Sequence, residues 1–380
     1  MPDVNHRLRR MSGRDPHEQF RVATPLELLF DLTFVVGFGT AASEFARSLS
    51  ANQVGSGLAG FAFATFAVWW AWVNFSWFAS AYDTDDWVYR LTTMLQMAGV
   101  IVLALGLPQM FASMHEGQHV DNRVMVAGYV VMRIAMVAQW LRAARQDPDH
   151  RPACLTYVVT VTVAQIGWVG VIFAHASFGV TFLLMVPLFI LEVAGPWIAE
   201  TRKGGTPWHA HHIVERFGLL TIIALGEGVI GTVASLSSVV AAQGWTGNAV
   251  LVAVAGIGLT FGMWWTYYSV PAADLLHAHR QRAFSFGYLH LLIIGAIVAT
   301  GAGCRRPRTT SNITLNWVRW PRCWLSRSPS RSTSRRRICC MRCSFTPGTR
   351  STWCWSRSRR WCWSRRWPWP RAGSRWRCAW

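Results

Sequence analysis

The first 303 residues of this chain contain one cysteine, Cys154, so no disulfide framework can be built there and that part carries no signal of redox compartment. They also lack a Walker loop and any Ser/His/Asp order that would suggest nucleophilic catalysis. Separate ten-residue segments of alternating hydrophobicity, the mark of a membrane barrel, are missing too. No cleavable leader is expected, because the first apolar stretch is too long for one and carries Glu27 and Asp31. Charge of one sign is missing from the other end. Residues 304–380 hold 20 Arg and no Asp, Glu or Lys, whereas residues 1–303 hold 17 Lys+Arg against 18 Asp+Glu. The net charge of +19 therefore belongs wholly to the tail and is no argument for a nucleic-acid partner.

Long apolar runs fill the first 303 residues. A helix needs about 20 mostly apolar residues to cross the hydrocarbon of a bilayer. Candidate spans lie at 26–46, 57–79, 91–112, 124–141, 155–174, 177–199, 214–237, 247–270 and 285–303. Within lipid the backbone must satisfy its own hydrogen bonds, so runs of this length read as helices. The fold class expected is an all-α integral membrane protein, a polytopic bundle of about nine transmembrane helices within residues 26–303. Alternate loops support that count. With the N-terminus cytoplasmic, thirteen Lys and Arg residues fall on the inner side, against only Arg47 and Arg123 outside. Three regions result: a basic cytoplasmic segment at 1–25, the helix domain at 26–303, and an Arg/Trp/Cys-rich tail at 304–380.

The tail has 20 Arg, 11 Trp and 8 Cys among its 77 residues. A basic aromatic arm for RNA or anionic lipid is one reading, and the genetic code supplies another. Read from the third base of the preceding codon, Trp and Cys codons become NTG, which encodes Leu, Met or Val. Arg codons of the CGN set become NCG, which encodes Ala, Pro, Ser or Thr. Residues 317–333 can be encoded so that the shifted frame reads Gly-Ser-Val-Ala-Thr-Val-Leu-Ala-Leu-Ala-Ile-Pro-Val-Ala-Val-Tyr. The expectation is a frameshift near residue 304, with further apolar helices in the other frame and a tail that is not natively folded.

Charged groups inside spans are costly, about 2.5–3.5 kcal/mol on insertion scales, and are functional candidates by default. Glu27 and Asp31 stand at i and i+4 on one helical face, where they would not both ionise readily. They suit proton sharing or cation binding, or else pairing with Arg133 that fixes helix packing. Glu227 sits deeper, among Gly226, Gly228 and Gly231, where it could meet Glu27, Asp31 or Arg133. Glu192 adds a fourth acid against Arg133 as the single base well inside a span. That excess favours a bound cation or protonated carboxyls. The run His209-x-His211-His212-x-x-Glu215 offers weak metal candidates, with His277 and His279 weaker still. Tyr82-Asp-Thr-Asp-Asp86 could coordinate a hard cation, but it reads rather as a turn of solvated acids. Trp69, Trp70 and Trp72 read as packing, with Trp77 in an interfacial belt.

Three segments resemble a known family. Thr24-Pro-Leu-Glu-Leu-Leu-Phe-Asp-Leu-Thr-Phe-Val-Val is similar to the opening helix of the bacterial low-temperature-requirement protein A family. His212-Ile-Val-Glu-Arg-Phe-Gly, followed by Leu-Gly-Glu227, resembles a second family segment, with His212, Glu215, Arg216, Gly226 and Glu227 as the matching positions. Met263-Trp-Trp-Thr-Tyr-Tyr268 is similar to a late aromatic run. The resemblance covers roughly residues 20–303 and implies a multi-pass bacterial inner-membrane protein whose chain continues with more helices where the tail stands. It implies no reaction. The functional expectation is an ion- or proton-coupled transporter or channel using the intramembrane carboxylates. An intramembrane or lipid-modifying enzyme with His212 and Glu215 is one alternative; a non-catalytic protein of cold or stress adaptation is the other. The expected partners are the bilayer and protons or small cations, with no nucleic acid. Cofactor, oligomeric state and transported species are not indicated, and turnover as an enzyme is not favoured.

Overall fold

The computed structural model describes residues 8–16, 18, 21–117, 120–174, 178–305, 339–345, 349–355 and 361–365. The chain divides into two units, Met1–Arg308 and Thr309–Trp380. Helices build the first unit: α1 Pro25–Ser50, α2 Val54–Tyr82, α3 Trp87–Glu116, α4 Arg123–Gln146, α5 Arg151–Phe173, α6 Phe178–Arg202, α7 Ala210–Gln243, α8 Gly247–Tyr268, short α9 Ala272–Ala278 and α10 Ala283–Cys304. Among the described residues nine helical stretches are long and apolar enough to cross a membrane, and each overlaps one expected span. The first unit is thus an all-α polytopic bundle with a lipid-facing surface. In the second unit the described backbone forms an antiparallel sheet of order β1-β2-β3, with strands Cys339–Phe345, Thr349–Trp355 and Trp361–Arg365. The stretch 317–333 used to illustrate the alternative frame lies outside the described residues.

Helix α1 is the hub, packing against α2, α3, α7 and α10. Its start is set locally. Thr24 has extended backbone and caps the helix, and Pro25 follows at the first helical position, where its missing N–H is no loss. Glu27 closes a capping box, with its backbone N–H donating to Thr24 Oγ1 at 3.3 Å and its carboxylate accepting from Thr24 N–H at 2.7 Å. The tightest helix pair is α3 with α4. A Cβ at Gly128 would lie 2.4 Å from the Leu103 nitrogen, and one at Gly106 would lie 2.3 Å from the Met125 nitrogen. Only glycine permits that backbone approach.

The loops expected on the cytoplasmic side gather at one end of the bundle, tied by a strap of which residues 8–16, 18 and 21 are described. Arg14 N–H donates to Ala81 O at 3.0 Å, Met11 N–H to the Gln146 side chain at 2.6 Å, and Gly13 N–H to Asp147 at 3.2 Å. Met11, within this strap, is fully buried. The strap also corrects the reading of the α2–α3 loop. Asp85 is exposed and pairs with Arg90, but Asp83 and Asp86 are not solvated: their side chains are 3% and 0% exposed. Asp83 faces Arg21 at 3.4 Å. Asp86 caps α3 and pairs with Arg142. Burial pushes the Asp86 carboxyl up, but hydrogen bonds from Arg142 and the N–H groups of Tyr89 and Arg9 hold it at about 2.

Candidate functional site

Two helical i, i+4 pairs meet face to face beneath the strap. Glu27 and Asp31 project from α1; His212 and Arg216 project from α7, the same spacing on the opposite wall. Arg216 reaches Glu27 Oε1 at 3.0 Å and Asp31 Oδ1 at 2.5 Å. His212 Nε2 lies 3.1 Å from Glu27 Oε1. Trp72 of α2 completes the wall by donating its indole N–H to Asp31 Oδ1 at 2.7 Å. The Arg216 guanidinium sits 5.7 Å from the Trp72 ring centre and 5.8 Å from that of Phe75, so aromatic faces shield its positive charge. Glu27, His212 and Arg216 have no exposed surface.

At its strap end the ladder continues through Arg21, whose guanidinium stands 3.8 Å from Glu27 and 3.4 Å from Asp83. Burial first, then the nearby Glu27 carboxylate, pushes the Asp83 carboxyl up to about 6 against the opposing pull of Arg21. Several polar atoms of the ladder have no hydrogen-bond partner: Glu27 Oε1, Asp31 Oδ2, His212 Nδ1, and Nε and Nη1 of Arg216. The 3.0 Å contact between Glu27 and Arg216 is therefore an ion pair whose angles do not make a hydrogen bond. Buried groups in that state are held by charge more than by directional bonding.

Glu27 and Asp31 thus pair with Arg216, and Arg133 belongs elsewhere. Arg133 of α4 meets Glu192 of α6 at 3.1 Å and Tyr129 OH at 3.1 Å, while Trp70 N–H donates to the same Glu192 oxygen at 2.5 Å. Sequence reading placed Arg133 as the single interior base; the structure buries Arg216 as deeply. Position 216 lies near the start of an apolar run, where a long side chain is expected to reach water. Here the strap and the α6–α7 loop cover that end.

Glu227 joins neither cluster. It lies on α7 between α1 and α10, 2% exposed, against Gly39, where a Cβ would come 3.1 Å from its Oε1. Arg305, the second residue of the Arg-rich tail, pairs with it. Gly39 is eight residues beyond Asp31, so about 12 Å of helix separates the two carboxylate levels. Phe34 and Phe38, both fully buried, occupy α1 between them. Gly226 has nothing within 4 Å of a Cβ position.

The histidines point three ways. His209 contacts the Glu18 carbonyl through Nε2, His211 lies 3.7 Å from Asp274 and stacks on His277 at 5.2 Å, and His212 faces Glu27. Glu215 is partly exposed. Among the described residues no group of three or more His, Cys, Asp or Glu is placed to hold a metal ion. Trp69, Trp70 and Trp72 are buried, but the last two serve as carboxylate donors as well as packing. Trp77 does likewise for Glu200 at 2.9 Å.

The residues of the ladder fall on the motifs that link this chain to known proteins. The profile described as bacterial low temperature requirement A protein (LtrA) matches residues 22–309. An uncharacterized protein, RA0937, of Rhizobium meliloti (strain 1021) is 26% identical over 306 residues, covering 75% of this chain and 69% of that protein. No solved structure matches the chain significantly. With a family profile spanning most of its length and both charged motifs inside the match, the chain belongs to the bacterial LtrA family of multi-pass membrane proteins.

Proposed function

We propose that this protein is a proton- or cation-coupled transporter of the bacterial inner membrane, with its N-terminus in the cytoplasm and the Glu27–Asp31–His212–Arg216 ladder as its coupling site. One observation carries the reading. Three carboxylates, Glu27, Asp31 and Asp83, are clustered with two guanidinium groups, Arg21 and Arg216. One negative charge is left over in a site without solvent. An uncompensated buried charge is expensive, so the cluster is completed by one proton or one monovalent cation. His212 and the carboxyls are the groups able to carry that proton.

Glu227 extends the path, one apolar layer further along α1, as a second carboxyl for the same ion. The enzyme alternative is less favoured, because His212 is engaged with Glu27. A non-transporting role in cold or stress adaptation predicts a ladder that no ion need enter.

Reconstituted proteoliposomes with a pH-sensitive dye, or with individual alkali cations, test the proposal. Ion flux is expected from the intact chain and is lost in Glu27→Gln, Asp31→Asn and Glu227→Gln variants that still melt cooperatively. Absence of flux for every ion tried would sink the transport reading.

A further inference from the structure

Helix α8 is the least covered wall of the bundle. Only 6% of the apolar stretch in its span is buried, against 22–56% in the other eight. A cleft of about 1030 Å³ opens between α7, α8 and α10, lined by Gly218, Gly258, Leu259, Gly262, Ile293 and Ile297 among others. The helix α8 divides its glycines between two faces. Gly256 packs on Thr232 of α7, where a Cβ would meet the hydroxyl at 2.3 Å. Gly258 and Gly262, spaced as small-x-x-x-small, border the cleft, and a Cβ at either would meet nothing within 4 Å. That spacing suits close approach of another helix in a membrane, where small residues let backbones come together.

We propose that the occupant of this cleft is the transmembrane helix encoded by the alternative reading frame immediately after α10, the frame shown being displaced by one base beyond residue 303. Three observations, and the genetic code, favour this occupant over a second copy of the chain or a lipid. Acidic residues and lysine disappear and Arg, Trp and Cys crowd in from residue 304, directly where α10, one wall of the cleft, ends. The family match stops at residue 309. Codons for residues 317–333 can be chosen so that the alternative frame is apolar and carries Gly, Ala, Ser and Thr, residues that pack on a bare glycine pair. Finally, α10 leaves the bundle at the end away from the strap, so the next helix runs back antiparallel beside it. This inference does not depend on the transport reading.

The test uses two full-length forms of the gene, one as shown and one with a single base inserted between codons 303 and 317. Each carries p-benzoylphenylalanine in place of Leu259, and in a second pair in place of Ile293, so that one poorly folding variant does not end the experiment. Intact mass establishes the frame, and irradiation in membranes followed by peptide mapping identifies the partner. The expected result in the corrected form is a crosslink within one chain to a peptide of the alternative-frame helix, replaced by lipid adducts in the form as shown. Crosslinks between two copies, or lipid adducts in both forms, overturn the proposal. So does re-sequencing of source DNA across codons 295–310 that finds the frame shown intact.

Discussion

Arg216 on α7 and Asp31 on α1 are 185 residues apart in the chain and 2.5 Å apart in the bundle. With Glu27 on the same guanidinium, this contact is the charged bond between the first helix and the seventh. Replacing Arg216 by Met leaves two buried carboxylates without their base. Removing one partner of such a pair costs about 3–5 kcal/mol. The Arg216→Met variant is expected to lose its cooperative melt in detergent, whereas Glu27→Gln/Asp31→Asn/Arg216→Met recovers most of it. A triple variant no more stable than the single one would refute the assignment.

The second pair behaves independently. Arg133→Met strands Glu192 between Trp70 and α4, for a loss of about 3–5 kcal/mol; Arg133→Met/Glu192→Leu leaves no charge behind and loses less. Melting of the single and double variants measures the difference. An equal loss in both would show that packing, not charge, sets the cost.

Asp83 gives the strap end a pH dependence. Its carboxyl is raised from 3.8 to about 6, so the folded state holds its proton more tightly than the unfolded chain. The resulting stability is complete below pH 3.8 and is lost as pH rises through about 6. The melting temperature should therefore carry a downward step that runs from pH 3.8 to about 6 and levels off above, absent from Asp83→Asn. A step that persists unchanged in that variant assigns it to another group.

The seat of Glu227 is shaped by absence of side chain. A Cβ at Gly301 would lie 2.7 Å from the Glu227 backbone carbonyl. Gly301→Val is expected to destabilise by about 1–3 kcal/mol, as overpacking does. Gly303→Val, one turn edge away with open space around it, is the control. Equal melting of the two variants would count against a tight α7–α10 contact at this level.

Much of the bundle was legible because a bilayer demands long apolar runs, and a run is visible without knowing its neighbours. Glu27 and Asp31 were legible for the same reason, as exceptions inside such a run. Their partner was not. His212 and Arg216 share the spacing that puts them on one face, but no local pattern says which of eight other helices that face meets. The Thr24-Pro-x-Glu27 capping box is written in the sequence, but Glu27 within an apolar run reads first as an intramembrane charge. Asp83 and Asp86 were misplaced in water because a turn rich in acids normally stays there. Nothing in that turn announces that Arg9, Arg14 and Arg21, far away in sequence, reach it. The same holds for Arg216, whose burial is decided by the cover over its end of the bundle.

Glu27 has a double duty that sets a mechanical consequence. One carboxylate both closes the first turn of α1, through Thr24, and faces His212 and Arg216. Whatever neutralises that carboxylate weakens the helix start and the cross-helix grip in one event. The joint between strap and hub helix is thereby a lever: a single unit of charge at its fulcrum sets how firmly α1 is held to α7.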